Sequence, residues 1–150
     1  MPGTPCAHHE RRPEREVTMP RRRASAVLLQ GDNILMVRIS YHGHTWWCLP
    51  GGTIEPNETP EETVVRELRE ELNLRVVYRE RLYEVPMPHE DGVDVGILVD
   101  ALADPLLPGV DPAVTAWAWH PFDDIKDSWQ VADVQKALGC RKVRPTRDNV

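Results

Sequence analysis

The sequence predicts an α/β (α+β) layered domain in which helices pack against a mixed β-sheet. Three observations carry this. Short β-branched and aliphatic runs recur at Ala24 to Leu29, Ile34 to Ile39, Leu74 to Tyr83, Asp94 to Leu102 and Val114 to His120, with the length and flanking turn residues of strands. Two other segments, ending at Leu72 and Leu138, carry helix-start signals and apolar residues at helical spacing. The length of 150 residues and 41% hydrophobic content suffice for one sizeable core, so a single domain over residues 21–140 is expected.

Taken in order, residues 1–20 are rich in Pro, Arg, Glu and His without periodicity and read as a flexible leader. Ala24 to Leu29 and Ile34 to Ile39, separated by Gln30-Gly-Asp-Asn33, read as an antiparallel hairpin. Ser40 to Trp46 reads as a polar and aromatic loop, followed by an extended piece to Leu49 and the Pro50-Gly-Gly52 turn. Thr59 is a helix N-cap, Pro60 occupies the first helical position and Glu62 completes a capping box, so a helix runs from there to about Leu72. The next two strands are joined by the acidic, Pro-containing Glu84 to Gly92, and Ala103 to Pro112 is a proline-rich connection. Val114 to His120 alternates and puts Trp117 and Trp119 on one face. Ser128 to Leu138 is the second helix, capped by Ser128 or Asp127, and 141–150 is a basic tail.

The formal net charge of −6 argues against a stable nucleic-acid complex. No apolar run approaches membrane-spanning length. Cys6, Cys48 and Cys140 are scattered and odd in number, which signals neither a disulfide framework nor a zinc site and fits a reducing cytoplasm. His8 and His9 lie in the leader, where a built metal site is not expected.

The acidic helix carries the chemistry. Val64, Leu68 and Leu72, with Val65 beside them, form a core-facing stripe, and Glu67, Glu70 and Glu71 fall in the adjacent sector. Three carboxylates at these spacings repel one another and the negative end of the helix. Where water is partly excluded, the repulsion reaches about 3 kcal/mol per pair at ~5 Å and an effective dielectric near 20. A solvated acidic face is the plain explanation. A convergent set of hard oxygen ligands for Mg²⁺ or Mn²⁺ is the functional one, because a divalent ion turns that repulsion into binding energy. Arg66 has two available partners, Glu62 at i,i+4 and Glu58 just before the helix, while Gly51 and Gly52 leave space for a ligand to approach the backbone.

Gly52, five residues, Glu58, seven residues, then Arg66-Glu67-Leu68-Arg69-Glu70-Glu71-Leu72-Asn73-Leu74 resembles the Nudix box, the signature of the Nudix hydrolase superfamily. Trp47-Cys-Leu-Pro-Gly51 is similar to that family's lead-in. The resemblance implies an α/β/α sandwich around a central mixed sheet. It also implies Mg²⁺- or Mn²⁺-dependent cleavage of the diphosphate in a nucleoside diphosphate linked to a moiety X, such as a nucleoside triphosphate, an oxidised nucleotide or an ADP-ribose-like molecule. By the same resemblance Glu67, Glu70, Glu71 and the Gly51 carbonyl are metal ligands, Arg66 and Glu58 orient loop and helix, and Glu67 is the candidate general base. Asp100 resembles a position where some members carry a further acidic ligand, and Glu90 and Asp91 lie in a loop that could close over the site.

Gly52 is expected beside the diphosphate. A nucleobase platform is expected from Tyr41, His42, His44 and Trp46, with Trp117 and Trp119 as further candidates that serve equally as core. The departure from the pattern is Asn73, where the family has Gly; Asn is the next-best residue for a left-handed helix stop, so a small stability cost and no loss of chemistry are expected. A non-catalytic nucleotide sensor is the alternative function, and a homodimer remains open.

Overall fold

The computed structural model describes residues 21–88, 90–122 and 129–138. In the first of two four-stranded sheets, β1 (Arg21–Val27) lies between β5 (Gly51–Thr53), antiparallel, and β7 (Gly92–Ala101), parallel. β6 (Val76–Pro86) closes that sheet antiparallel to β7. In the second, β3 (Asn33–Tyr41) pairs along one edge with β8 (Val114–Pro121), and β2 (Leu29–Gln30) and β4 (His44–Cys48) share its other edge.

Alternation along β1 explains why both faces are covered. Ala24 and Ala26 join a buried cluster with Val64, Leu68 and Leu72 of α1 (Pro60–Leu72), whereas Val27 joins one with Val134 and Leu138 of α2 (Trp129–Leu138). Helix, sheet and helix therefore stack as the expected α/β/α sandwich, and β1 is buried from Arg23 to Val27 because neither side meets water. Trp117 and Trp119 sit opposite Val37 and Leu35 and pack on the α1-side cluster, the core role open to them.

α1 begins as its sequence dictates. The Thr59 hydroxyl accepts from the Glu62 N–H at 3.1 Å, and the Glu62 carboxylate accepts from the Thr59 N–H at 3.0 Å. The helix stops at Asn73, which is left-handed at φ 52°, ψ 36°.

Several expectations are corrected. The first hairpin survives only between β2 and β3, because the strand read as Ala24 to Leu29 breaks at Leu28 and β1 crosses to the other sheet. The loop read at Ser40 to Trp46 is a tight hairpin: His42 (φ 49°) and Gly43 (φ 80°) are both left-handed, and Tyr41 pairs with His44 across them. β6 and β7 extend into the segment read as an acidic link, β6 ending at Pro86 and β7 beginning at Gly92. Val65 is 40% exposed, and its place in the buried stripe is taken by Thr63 and Glu71. Cys48 is disulfide-bonded, with its partner outside the described residues, although the scattered cysteines gave no sign of it. The caps expected at Ser128 or Asp127, the leader and the basic tail also lie outside the described residues.

Gly96 of β7 faces Tyr83 of β6, and a Cβ at 96 would come within 2.1 Å of the ring. The ring is anchored, because the Tyr83 hydroxyl donates to the buried Asp94 carboxylate at 3.1 Å. Gly96→Ala is expected to cost about 1–3 kcal/mol through overpacking, read as a lowered urea midpoint at unchanged m. An unchanged midpoint would show that the ring is not held.

Candidate active site

Two short pieces of chain meet at the site. β5 is fixed on β1 by the pairs Ser25 with Gly51 and Ala24 with Gly52, and α1 packs against both strands. The gap between them is small: the Gly51 N–H donates to Glu71 Oε1 at 3.2 Å, and a Cβ on Gly52 would lie 2.3 Å from Glu67 Oε2. A side chain at 52 would therefore displace the Glu67 carboxylate from its present place.

Arg66 is the hub. Its Nε and Nη2 donate to the two oxygens of Glu58 at 2.8 and 3.0 Å, its Nη1 to Glu67 at 3.0 Å and Glu70 at 3.3 Å, and its Nη2 also to the Thr53 carbonyl at 3.2 Å. Of the two partners open to Arg66, Glu58 is the one used; Glu62 is committed to the cap. Glu58 accepts further bonds from the Thr63 hydroxyl at 2.7 Å and the Glu55 N–H at 3.0 Å. Arg66 first, with Thr63 and Glu55, holds the Glu58 carboxyl down at about 2. Its depressed value makes this tie a stabilising contribution that is complete above the ordinary 4.5 and lost as pH falls through about 2.

The other carboxylates move the opposite way. Burial pushes Glu67 up, against the pull of Arg66, and pushes Glu71 well up, with the neighbouring Glu67 charge adding to it. Glu71 is only 5% exposed. Among the described residues no ready-made group of three acidic, His or Cys side chains surrounds a metal position, because Arg66 draws Glu67 and Glu70 to itself. The donor set nevertheless fits a hard divalent cation: a buried carboxylate with no cation in hydrogen-bond contact among the described residues, a second half-buried one beside it, and Glu70 with its side chain 43% exposed.

A cavity of about 150 Å³ opens beside Gly51 and Glu71, lined on its far side by Tyr41, Trp46, Ile39 and Arg23. That is below the ~300–1,000 Å³ of a site enclosing a whole drug-sized ligand, so it suits one ring system. Tyr41 and Trp46 thus share a cavity with Glu71. His44 lies on the same hairpin face, paired with Tyr41, but is exposed and outside this lining, and His42 stacks edge-on against Tyr41 at 4.2 Å.

Asp100 is not brought in. It stands four residues beyond Gly96, the residue level with Ser25 and Gly51, which is about 13 Å along a strand, and it pairs with Arg79 at 3.1 Å. Glu90 is bound to Arg21 at 3.1 Å, and the Asp91 carbonyl accepts from the Arg21 N–H at 3.2 Å, so both residues are tied to the start of β1. His8 and His9 lie outside the described residues.

A buried polar group beside the site escaped the sequence reading. Arg23 donates to the Leu49 carbonyl at 3.2 Å and the Ser25 hydroxyl at 3.3 Å, while Asp94 accepts from Ser25 at 2.8 Å and lies 3.7 Å from Arg23. Through Leu49, Arg23 holds the chain that leads into Gly51. The available signal was weak: Arg23 follows two other arginines just before the apolar run and Asp94 stands at the start of the next one, so neither reads as a buried charge until the strands pair.

Residues 19–138 match the family model described as NUDIX domain. The uncharacterized Nudix hydrolase YvcI of Bacillus subtilis is 33% identical over 61 residues, 41% of this chain and 37% of that protein. An 8-oxo-dGTP diphosphatase of Proteus vulgaris is 34% identical over 55 residues, 35% of this chain and 49% of that protein. The matched stretch therefore spans less than half of each relative. Among solved structures, an ADP-ribose pyrophosphatase from Streptococcus suis shares the fold at a TM-score of 0.68 and 22% identity, covering 83% of this chain and 94% of that one. A MutT NUDIX hydrolase from Burkholderia pseudomallei does so at 0.65 and 26% identity, covering 81% and 98%.

Because Glu71 holds its proton more tightly folded than unfolded, the metal-free protein should lose stability as pH rises from about 4.5 through the raised folded value. A divalent cation held by the same carboxylate would compete with its proton, and in that case Mn²⁺ should raise Tm more at pH 8 than at pH 5. Glu71→Gln is expected to raise the metal-free Tm at pH 8 by about 2–6 °C and to abolish most of the Mn²⁺ effect. Equal Mn²⁺ shifts in variant and parent would remove Glu71 from the cation site.

Proposed function

The chain belongs to the NUDIX domain family, and from that premise we propose that it is a Mg²⁺- or Mn²⁺-dependent pyrophosphohydrolase acting on a nucleoside diphosphate linked to a moiety X. The observation that carries this reading is the buried Glu71 carboxylate, hydrogen-bonded to Gly51, flanked by Glu67 and lining a ring-sized cavity. A diphosphate is the group whose charge such a cation site neutralises, and the cavity is where a base attached to it can lodge.

In this reading Glu67, Glu70 and Glu71, with the Gly51 carbonyl, hold the cation. When bound, it supplies charge neutralisation of the diphosphate and a lowered pKa for attacking water. Glu67 accepts the proton of that water. Burial raises its basicity toward the working pH, which suits a general base. Arg66 and Glu58 keep the Thr53 end of the loop on α1, so that Gly52 presents open backbone to the phosphates. Water adds to one phosphorus, the bridging P–O bond breaks, and the departing phosphate takes the electron pair. Tyr41 and Trp46 seat the base, with His44 at the outer margin; Asp100 has no part in the proposed ligand set. The names of the relatives place 8-oxo-dGTP and ADP-ribose among the substrates to try, alongside ordinary triphosphates.

With Mn²⁺ or Mg²⁺ present, one of these compounds should be cleaved at its diphosphate, and Glu67→Gln should lower kcat by about 10²–10⁴-fold, the range for losing a general base. Binding of all of them without turnover of any would favour the sensor. For the cavity, Tyr41→Ala and Trp46→Ala should each raise KM roughly tenfold, about the worth of one stacked ring, with kcat nearly unchanged. A fall in kcat at constant KM would place the base elsewhere.

A further inference from the structure

The residue that departs from the Nudix pattern does more than end a helix. Asn73 takes the left-handed stop, and its side-chain amide donates to the carbonyls of Leu106 and Pro108, both at 3.0 Å. The same segment returns backbone bonds to the last turn of α1. The Leu106 N–H donates to the Leu72 carbonyl at 2.8 Å, and those of Val110 and Asp111 to the Glu70 carbonyl at 2.8 and 3.2 Å. Between them, Gly109 lies so close that a Cβ there would be 2.4 Å from the Glu70 oxygen and 2.6 Å from the Glu71 oxygen. The terminal carbonyls of a helix have no partner within it. Here residues 106–111 supply partners for those of Glu70 and Leu72, and Asn73 grips that segment from the helix side. A glycine at 73 would take the same backbone conformation and grip nothing.

We propose that Asn73 is a positioning residue for the carboxylate site. By clamping residues 106–111 onto the end of α1, it fixes the backbone of Glu70 and Glu71, two carboxylates of the cation site proposed above, and this clamp is the physical return on placing Asn where Gly is the easier stop. The inference rests on the proposed function only for the role of those two carboxylates. It also reverses the effect expected from sequence: replacing Asn73 by Gly loosens the structure instead of relieving it.

Amide hydrogen exchange of Leu106, Val110 and Asp111 followed by NMR on the metal-free chain tests the clamp, and Mn²⁺ affinity read from the EPR signal of free Mn²⁺ tests its consequence. In Asn73→Gly, the loss of two hydrogen bonds should speed exchange of these three amides about tenfold or more and weaken Mn²⁺ binding severalfold, with β1 and β7 amides unchanged. Asn73→Asp, which sets a carboxylate against two carbonyls, should do the same. So should Gly109→Ala, which lifts the segment from the opposite side. Unchanged protection in Asn73→Gly overturns the clamp, and lost protection with unchanged Mn²⁺ affinity overturns the positioning role. Absence of Mn²⁺ binding by the parent chain would instead sink the metal-dependent function, leaving exchange to decide the clamp alone.

Discussion

The site depends on one guanidinium. Arg66 gathers Glu58, Glu67, Glu70 and the Thr53 carbonyl, and no other side chain could hold three carboxylates and a loop carbonyl in one plane of donors. Its bidentate bond to Glu58 joins the loop to the helix, and this sets how closely β5 approaches α1. The closeness of Gly51 to Glu71 and of Gly52 to Glu67 follows from it.

That approach has an electrostatic cost, and the fold distributes it unevenly. Glu58, in contact with Arg66, is held ionised far below the usual range, while Glu71, on the same helix but turned into the core, is pushed well up by burial. A structure selected for stability alone would not bury a carboxylate beside another one. Keeping Glu71 there makes sense if a cation completes the arrangement, so a strained carboxylate pair is read as a prepared site. Arg23 and Asp94 form a second buried polar group, and the bond from Arg23 to the Leu49 carbonyl supports the turn into Gly51 from behind. The tight turn of the site is thus held on one side by Arg66 and on the other by Arg23.

Where local chemistry decides structure, the sequence was legible. Thr59, Pro60 and Glu62 start α1 where their capping chemistry says, because every bond involved lies within four residues. The spacing of Glu67, Glu70 and Glu71 was equally readable, being a property of helical pitch. Misreadings came where a partner distant in sequence decides. His42-Gly43 was missed as a turn because a non-Gly residue seldom takes the left-handed conformation, which His42 adopts here under cross-strand pairing of Tyr41 with His44. The break at Leu28 was invisible because both halves are apolar, and only the competing pairings with β7 and β3 divide them. Asp100 looked suitable by position, but register places it beside Arg79.

By itself the sequence determined the layered fold, the cap and stop of α1, and a loop and helix bearing the family's acidic pattern, since these rest on periodicity and on contacts between near neighbours. Only the tertiary structure decided that Glu71 is buried while Glu70 is not, that Arg66 chooses Glu58 over Glu62, and that Tyr41 and Trp46 share a cavity with Glu71. It also turned Asn73 from a tolerated stop into a clamp on residues more than thirty positions away. The physical reason is common to all four: burial and hydrogen-bond partnership depend on what packs against a residue, and that is set by strand register and loop docking, which no local pattern encodes.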